Sequence, residues 1–313
     1  MLNRRHIRVK VMQSLYAMHQ QETDNFDREE KLLLQSLHGI KELYLLILSI
    51  FIELQKKETQ YLEKVAQKYL ASKEEKNPSK NFINNKLLTY LSNNKNILDE
   101  LKNYNIKNWQ NNDDMILILL NEIKLSSYYE NYISIKNPSF EDDKKFIVNI
   151  FSYIIAASDK LYDYLEDYKI SWVDDIPVVN TIIVKQLRNI TSTNDEFEIA
   201  EAYKDDEDEK FAKDLLVKTL LNFNEYSKYY IDKTPNWDID RFAELDTILL
   251  KMGICELLKF SNIPVKVTIN EYVEIAKEYS TPKSSLFING ILDNLVKEFQ
   301  QKNILRKSGR GLL

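Results

Sequence analysis

The chain has 313 residues, a formal net charge of −5, 44% hydrophobic and 29% charged residues, one cysteine and five glycines. That length and apolar content suit a soluble globular chain of two domains, or of one domain with a large insertion. A lone Cys255 excludes an internal disulfide and a multi-thiol zinc site, and the scattered glycines form no loop that would cradle phosphates, which argues against a nucleotide-dependent enzyme.

The first element is "NRRHIRVKVMQSLYA", residues 3 to 17. Ile7, Val11, Leu15 and Met18 recur at helical spacing and draw one apolar stripe. Between them stand Arg4, Arg5, Arg8 and Lys10 with no acid, in the first turns, where the helix dipole favours anions instead. Four cations in an acidic protein point to phosphates, and RNA is the expected partner. Tyr16 falls on the flank shared by Arg5, Arg8 and Met12, where it either stacks on an unpaired base or caps the core. His6, His19 and His38 lack a second ligand at metal spacing, so neither a metal nor a catalytic residue is expected.

The next apolar run, "LYLLILSIFI" at 43 to 52, is far short of the ~20 residues that span a bilayer, and no signal-peptide pattern follows the basic start. The expected location is the cytoplasm, with no membrane partner. Helical periodicity then continues nearly everywhere, which predicts an all-α protein. Breaks are predicted at "NPSK" (77 to 80), "NPSF" (137 to 140), "TSTND" (191 to 195), "KTPN" (233 to 236), "SNIP" (261 to 264) and "STPKS" (280 to 284), each carrying Pro or an Asn/Ser/Thr cluster.

Within this run a pattern repeats. Phe146 and Trp172 are separated by 26 residues, as are Phe211 and Trp237, and Phe82 to Trp109 is a weaker third copy. Each Trp precedes an acidic stretch and an apolar helix, so the middle block reads as duplicated helix pairs, with Trp109, Trp172 and Trp237 as packing anchors. Before the last copy, "NDEFEIAEAYKDDEDEK" (194 to 210) carries nine acids against two lysines. It reads as a solvated or disordered linker, or alternatively as a brake that competes with RNA for the basic helix.

From Trp237 onward, "WDIDRFAELDTILLKMGICELL" and "IPVKVTINEYVEIAKEYSTPKSSLFINGILDNLVKEF" resemble the C-terminal half of the NusB family, and "RRHIRVKVMQSLYA" is similar to that family's first helix. The resemblance implies two small helical bundles and a non-enzymatic factor with no cofactor. It also implies binding of boxA RNA from ribosomal RNA transcripts together with NusE, and assembly on elongating RNA polymerase. The implied RNA contacts are the arginine-rich start, Phe287 and Asn289. Phe287 also has apolar neighbours that favour burial. Lys283 stands where many members carry an acid, so it should add attraction to phosphate. Asp246 is the implied partner contact, while Thr247 replaces the family's usual basic residue. Thr268 and Glu271 suggest a capping box, and Gly290 suggests a close helix crossing.

Family members are commonly shorter. The expected organisation is therefore 1–40 as the basic helix and second helix of the first bundle, 41–205 as a helical insertion ending in the acidic linker, 206–301 as the NusB-like remainder, and 302–313 as a tail. The tail holds Lys302, Arg306, Lys307 and Arg310 without an acid, and is either a frayed end or an extension of the RNA-binding face. Two alternatives compete with the main reading: a helical protein-interaction scaffold that has lost RNA binding, and an accessory domain of an RNA methyltransferase.

Overall fold

The computed structural model describes residues 1–21, 25–66, 78–194, 196–231 and 243–312. Within them every regular element is a helix, and no strand occurs among the described residues. The chain divides into two compact units, one of Met1 with His38–Ala202, the other of Leu2–Leu37 with Tyr203–Leu313.

In the first unit the long helix α2 (Phe26–Ala66) supplies its residues from His38 on. Leu43 to Leu48, Ile50, Phe51 and Leu54 are all buried, which explains an apolar run without a polar face: this segment is surrounded. Around it lie α3 (Lys86–Asn93), α4 (Lys95–Asn103), α5 (Asn108–Asn111), α6 (Asp113–Lys124) and α7 (Ser127–Ile133). They are followed by α8 (Phe140–Ile150), a π-helical turn Phe151–Ile155, α9 (Asp159–Tyr168) and α10 (Ile176–Asn189). The boundaries follow side-chain chemistry. Asn85, Asn94, Ser126 and Ser158 each accept a backbone N–H at a helix start, Ser139 and Asp142 close a full capping box, and Pro177 opens α10.

Both described tryptophans anchor on α2. The Trp172 indole N–H donates to the Gly39 carbonyl at 3.0 Å, and that of Trp109 donates to Ser49 Oγ at 2.9 Å and the Leu46 carbonyl at 3.2 Å. Each is followed by an apolar helix, α6 after Trp109 and α10 after Trp172. The third tryptophan, Trp237, and the predicted break at 233 to 236 lie outside the described residues.

The second unit contains α1 (Arg4–Gln21), the first turns of α2, then α11 (Asp206–Leu221), α12 (Phe223–Ile231), α13 (Glu244–Lys259), α14 (Val265–Tyr279) and α15 (Ser284–Gln301). α1 runs antiparallel to α13: Arg8 meets Glu256 near one end, and Gln20 donates to Glu244 near the other. Both helices are deeply embedded, α1 from Ile7 to Met12 and α13 from Ile248 to Leu257.

Three sequence expectations are corrected here. Thr268 is not an N-cap: α14 begins at Val265, and the Thr268 hydroxyl instead donates to Glu256 Oε1 at 2.8 Å. Gly290 makes no close crossing, since a Cβ there would meet nothing within 4 Å. The packing glycine is Gly253 on α13, where a Cβ would come to 3.1 Å from Leu292 on α15. Nor is the acidic stretch 194–210 solvated throughout. Phe197 and Ala202 are buried, and Asp206 to Lys210 form the first turns of α11, where acids complement the helix dipole.

Candidate nucleic-acid interface

The start of α1 is set by Asn3, whose side-chain oxygen accepts the His6 N–H at 2.8 Å. The cations that follow are sorted by the helix period into different surroundings. Arg8 is 1% exposed, and its Nε and Nη2 donate to the two Glu256 oxygens, both at 2.8 Å. The same carboxylate accepts from Thr268 and from the Tyr272 hydroxyl, and the Arg8 guanidinium lies 5.1 Å from the Phe211 ring centroid. Burial opposes the charge on Arg8, but the adjacent Glu256 outweighs it and holds the pKa above its ordinary value. Lys10 is 2% exposed. Arg8 and Lys10 were expected to meet RNA and are instead enclosed, because α1 is wrapped by α11, α13 and α14 rather than lying on the surface with one apolar face.

Arg4 and Arg5 remain accessible, and the acids missing from their own helix arrive from elsewhere. Arg5 donates Nε and Nη2 to the Glu271 carboxylate on α14, both at 3.0 Å, and this bond raises its pKa. Arg4 pairs with Asp208 at 3.3 Å and Glu207 at 3.6 Å, so the acidic stretch does touch the basic helix. An exposed pair such as Arg5–Glu271 contributes about 0–1 kcal/mol, whereas Asp208 is buried and holds Arg4 in a partly buried bond.

The tail is docked, and the reading of it as a frayed end is corrected. Lys307 Nζ donates to the Phe260 carbonyl at 2.9 Å and the Glu256 carbonyl at 3.4 Å, satisfying groups at the end of α13. Burial lowers the Lys307 pKa. Ser308 N–H donates to the Ser261 carbonyl at 3.0 Å, and a 3-10 turn, Gly309–Leu312, follows. Gly311 passes so close to Ser261 that a Cβ would lie 1.9 Å from its carbonyl oxygen. The result is a cleft of about 590 Å³ that brings Arg4, Arg5 and the edge of Arg8 together with Arg310, against Pro264 and Val267.

The remaining predicted residues do not line this cleft. Tyr16 is accessible on the face of α1 that carries Arg5, three helical turns further on. Lys283 is exposed at the N-cap of α15, and Phe287 and Asn289 are half-buried on that helix, Asn289 donating to Asp293 at 3.1 Å. Asp246 was expected to meet a partner, but it is 5% exposed and accepts from the Ser280 and Ser284 hydroxyls at 2.6 and 2.7 Å. It fastens the α14–α15 turn to α13. Sequence reasoning did not assign Asn3, Asn262, Pro264, Val267 or Arg310 to the site. Only Arg310 carried a signal, as part of the acid-free tail.

Among the described residues, no group of three or more His, Cys, Asp or Glu side chains is placed to hold a metal ion, and no helix is long and apolar enough to cross a membrane.

Residues 178–297 match the NusB family model. The chain is 42% identical over 103 residues to the transcription antitermination protein NusB of Salinibacter ruber, spanning 33% of this chain and 64% of that protein. It is 42% identical over 106 residues to that of Chloroherpeton thalassium, 33% of this chain and 50% of the relative. With the protein of the same name from Natranaerobius thermophilus it shares 39% identity over 120 residues, 32% of this chain and 86% of the relative. The chain thus spans less than two thirds of the first two relatives and most of the third. No solved structure matches. An all-helical chain of which about a third aligns with most of a shorter relative belongs to the NusB family, with a long additional helical region of its own.

Proposed function

We infer that this chain is a non-enzymatic transcription antitermination factor of the cytoplasm that binds boxA-type RNA of ribosomal RNA transcripts together with NusE, and joins elongating RNA polymerase. The observation that carries this reading is the cationic cleft at the start of α1, built within the unit that contains most of the NusB match. Guanidiniums at its rim supply phosphate attraction, and Tyr16, on the same helix face as Arg5, offers a ring on which an unpaired base can stack. No bond is made or broken; the protein places RNA and partner side by side. Lys283 and the half-buried Phe287 and Asn289 extend the proposed surface along α15.

The pairing of Arg4 and Arg5 with acids favours the second reading, a protein-interaction scaffold without RNA affinity. Titration of the full chain with a single-stranded boxA oligomer over a range of salt, with and without NusE, separates the two. RNA binding predicts an affinity that falls with salt, with a slope of about −0.7 per phosphate neutralised. No measurable binding under either condition would reject it.

A further inference from the structure

We propose that the C-terminal tail completes a nucleotide subsite, with Arg310 joining Arg4 and Arg5 as the third accessible guanidinium at the rim of the cleft and one phosphate of single-stranded RNA as its ligand. This assignment rests on the RNA-binding reading above and adds a position to it that lies beyond the family match, which stops at residue 297.

The cleft has the size and the chemistry for one nucleotide. Its volume of about 590 Å³ falls within the roughly 300–1,000 Å³ usual for small-ligand sites. Its rim is cationic through Arg4, Arg5 and Arg310, while the exposed Val267 and neighbouring Pro264 give it an apolar wall against which a base or sugar can lie. Glu271 also lines it, but this carboxylate is already paired with Arg5. That pair uses the Nε and Nη2 edge of Arg5 and leaves Nη1 outside it. A guanidinium has five N–H donors in a fixed fork, so Arg5 can hold Glu271 and still face a phosphate.

The tail is held in place by three separate contacts. Lys307 is tied to the carbonyls ending α13, the Ser308 N–H is bonded to Ser261, and Gly311 lies against the same Ser261 carbonyl with no room for a side chain. Arg310 lies between Ser308 and Gly311, so its backbone is fixed while its side chain stays exposed. A charge held in this way binds with less loss of conformational freedom than one on a loose tail.

The test uses the full chain and a single-stranded boxA oligomer. Arg310→Ala, which removes an exposed side chain and should leave the thermal melt unchanged, is expected to weaken binding roughly tenfold at low salt. It should also lower the salt slope by about 0.7, and Arg310→Lys should restore that slope. Gly311→Ala keeps every charge but displaces the tail from Ser261, and is expected to weaken binding as Arg310→Ala does. Wild-type binding that neither Arg310→Ala nor Gly311→Ala alters would overturn the subsite and leave the RNA-binding reading standing. Absence of wild-type binding, with or without NusE, would overturn both.

Discussion

Arg8 and Glu256, 248 residues apart in the chain, close a two-bond pair at 2.8 Å in the core of one unit. A charge that is sequestered in this way cannot also meet a phosphate, so the basic start of α1 serves two purposes. The buried Arg8 joins three helices, and Arg4 and Arg5 face the cleft.

The first prediction follows from that division. Glu256→Ala leaves Arg8 charged and buried with only the Glu271 carboxylate, 3.7 Å away, in place of its two-bond partner, and also removes the acceptor for Thr268 and Tyr272. The expected loss is about 3–5 kcal/mol of unfolding free energy in urea titrations. Arg5→Ala should lose less than about 1 kcal/mol, because its pair with Glu271 is exposed. Equal losses in the two variants would contradict the assignment.

Two glycine substitutions are expected to differ in sign. Gly253→Ala pushes a methyl group toward Leu292 and should destabilise by about 1–3 kcal/mol. Gly290→Ala meets no neighbour and lies inside α15, so it should stabilise by about 0.5–1 kcal/mol through helix propensity alone. Thermal melts of the two single variants decide the matter.

Trp172 is fully enclosed and donates to Gly39. Trp172→Ala is expected to cost about 3–5 kcal/mol, and Trp172→Phe less, since the phenyl ring keeps much of the packing and forfeits only the indole hydrogen bond. Urea denaturation followed by far-ultraviolet circular dichroism checks both.

Much of the architecture was readable from periodicity. Long helical patterns, Asn and Ser at helix starts, and tryptophans at regular spacing are local signals, and they record local structure. What could not be read is whatever depends on residues far apart in sequence. The stripe Ile7, Val11, Leu15, Met18 suggested one buried face, whereas Val9 and Lys10 are buried as well, because partners from α11, α13 and α14 close around the helix. The alternative reading of 194–210 as a brake does place Glu207 and Asp208 against the basic helix, but an acid-free cluster gave no hint that Glu256 and Glu271 would be delivered to it from more than 200 positions away. Gly290 and Gly253 look alike in sequence, and the positions of Leu292 and Tyr272 distinguish them.

Lys251 provides a test by pH. It is 6% exposed, with Nζ 3.4 Å from the centre of the Phe223 ring, and burial pushes its pKa down to about 8 from an ordinary 10.5. Between those values the unfolded chain holds more protons than the folded one, so this group makes stability rise with pH across that window. Lys251→Met should remove the rise and stabilise the protein at neutral pH by on the order of 2 kcal/mol, less whatever the ring contact contributes. Urea midpoints at neutral and mildly alkaline pH would show it. A rise that persists in the variant would assign the effect to another group.

The division of the chain into units also sets an order of events during synthesis. The unit formed by His38–Ala202 is almost continuous in sequence, so its segments are all available once residue 202 has left the ribosome. The other unit needs Leu2–Leu37 and Tyr203–Leu313 together. Helix α1, although made first, must therefore wait with Ile7, Val11, Met12 and Leu15 uncovered until Phe211 and Glu256 have been made. At bacterial elongation rates, on the order of 5–20 residues per second, that interval is roughly ten seconds or more. The unit His38–Ala202, lying between the two parts of the other, thus lengthens the time for which α1 stays exposed to chaperones and to other nascent chains.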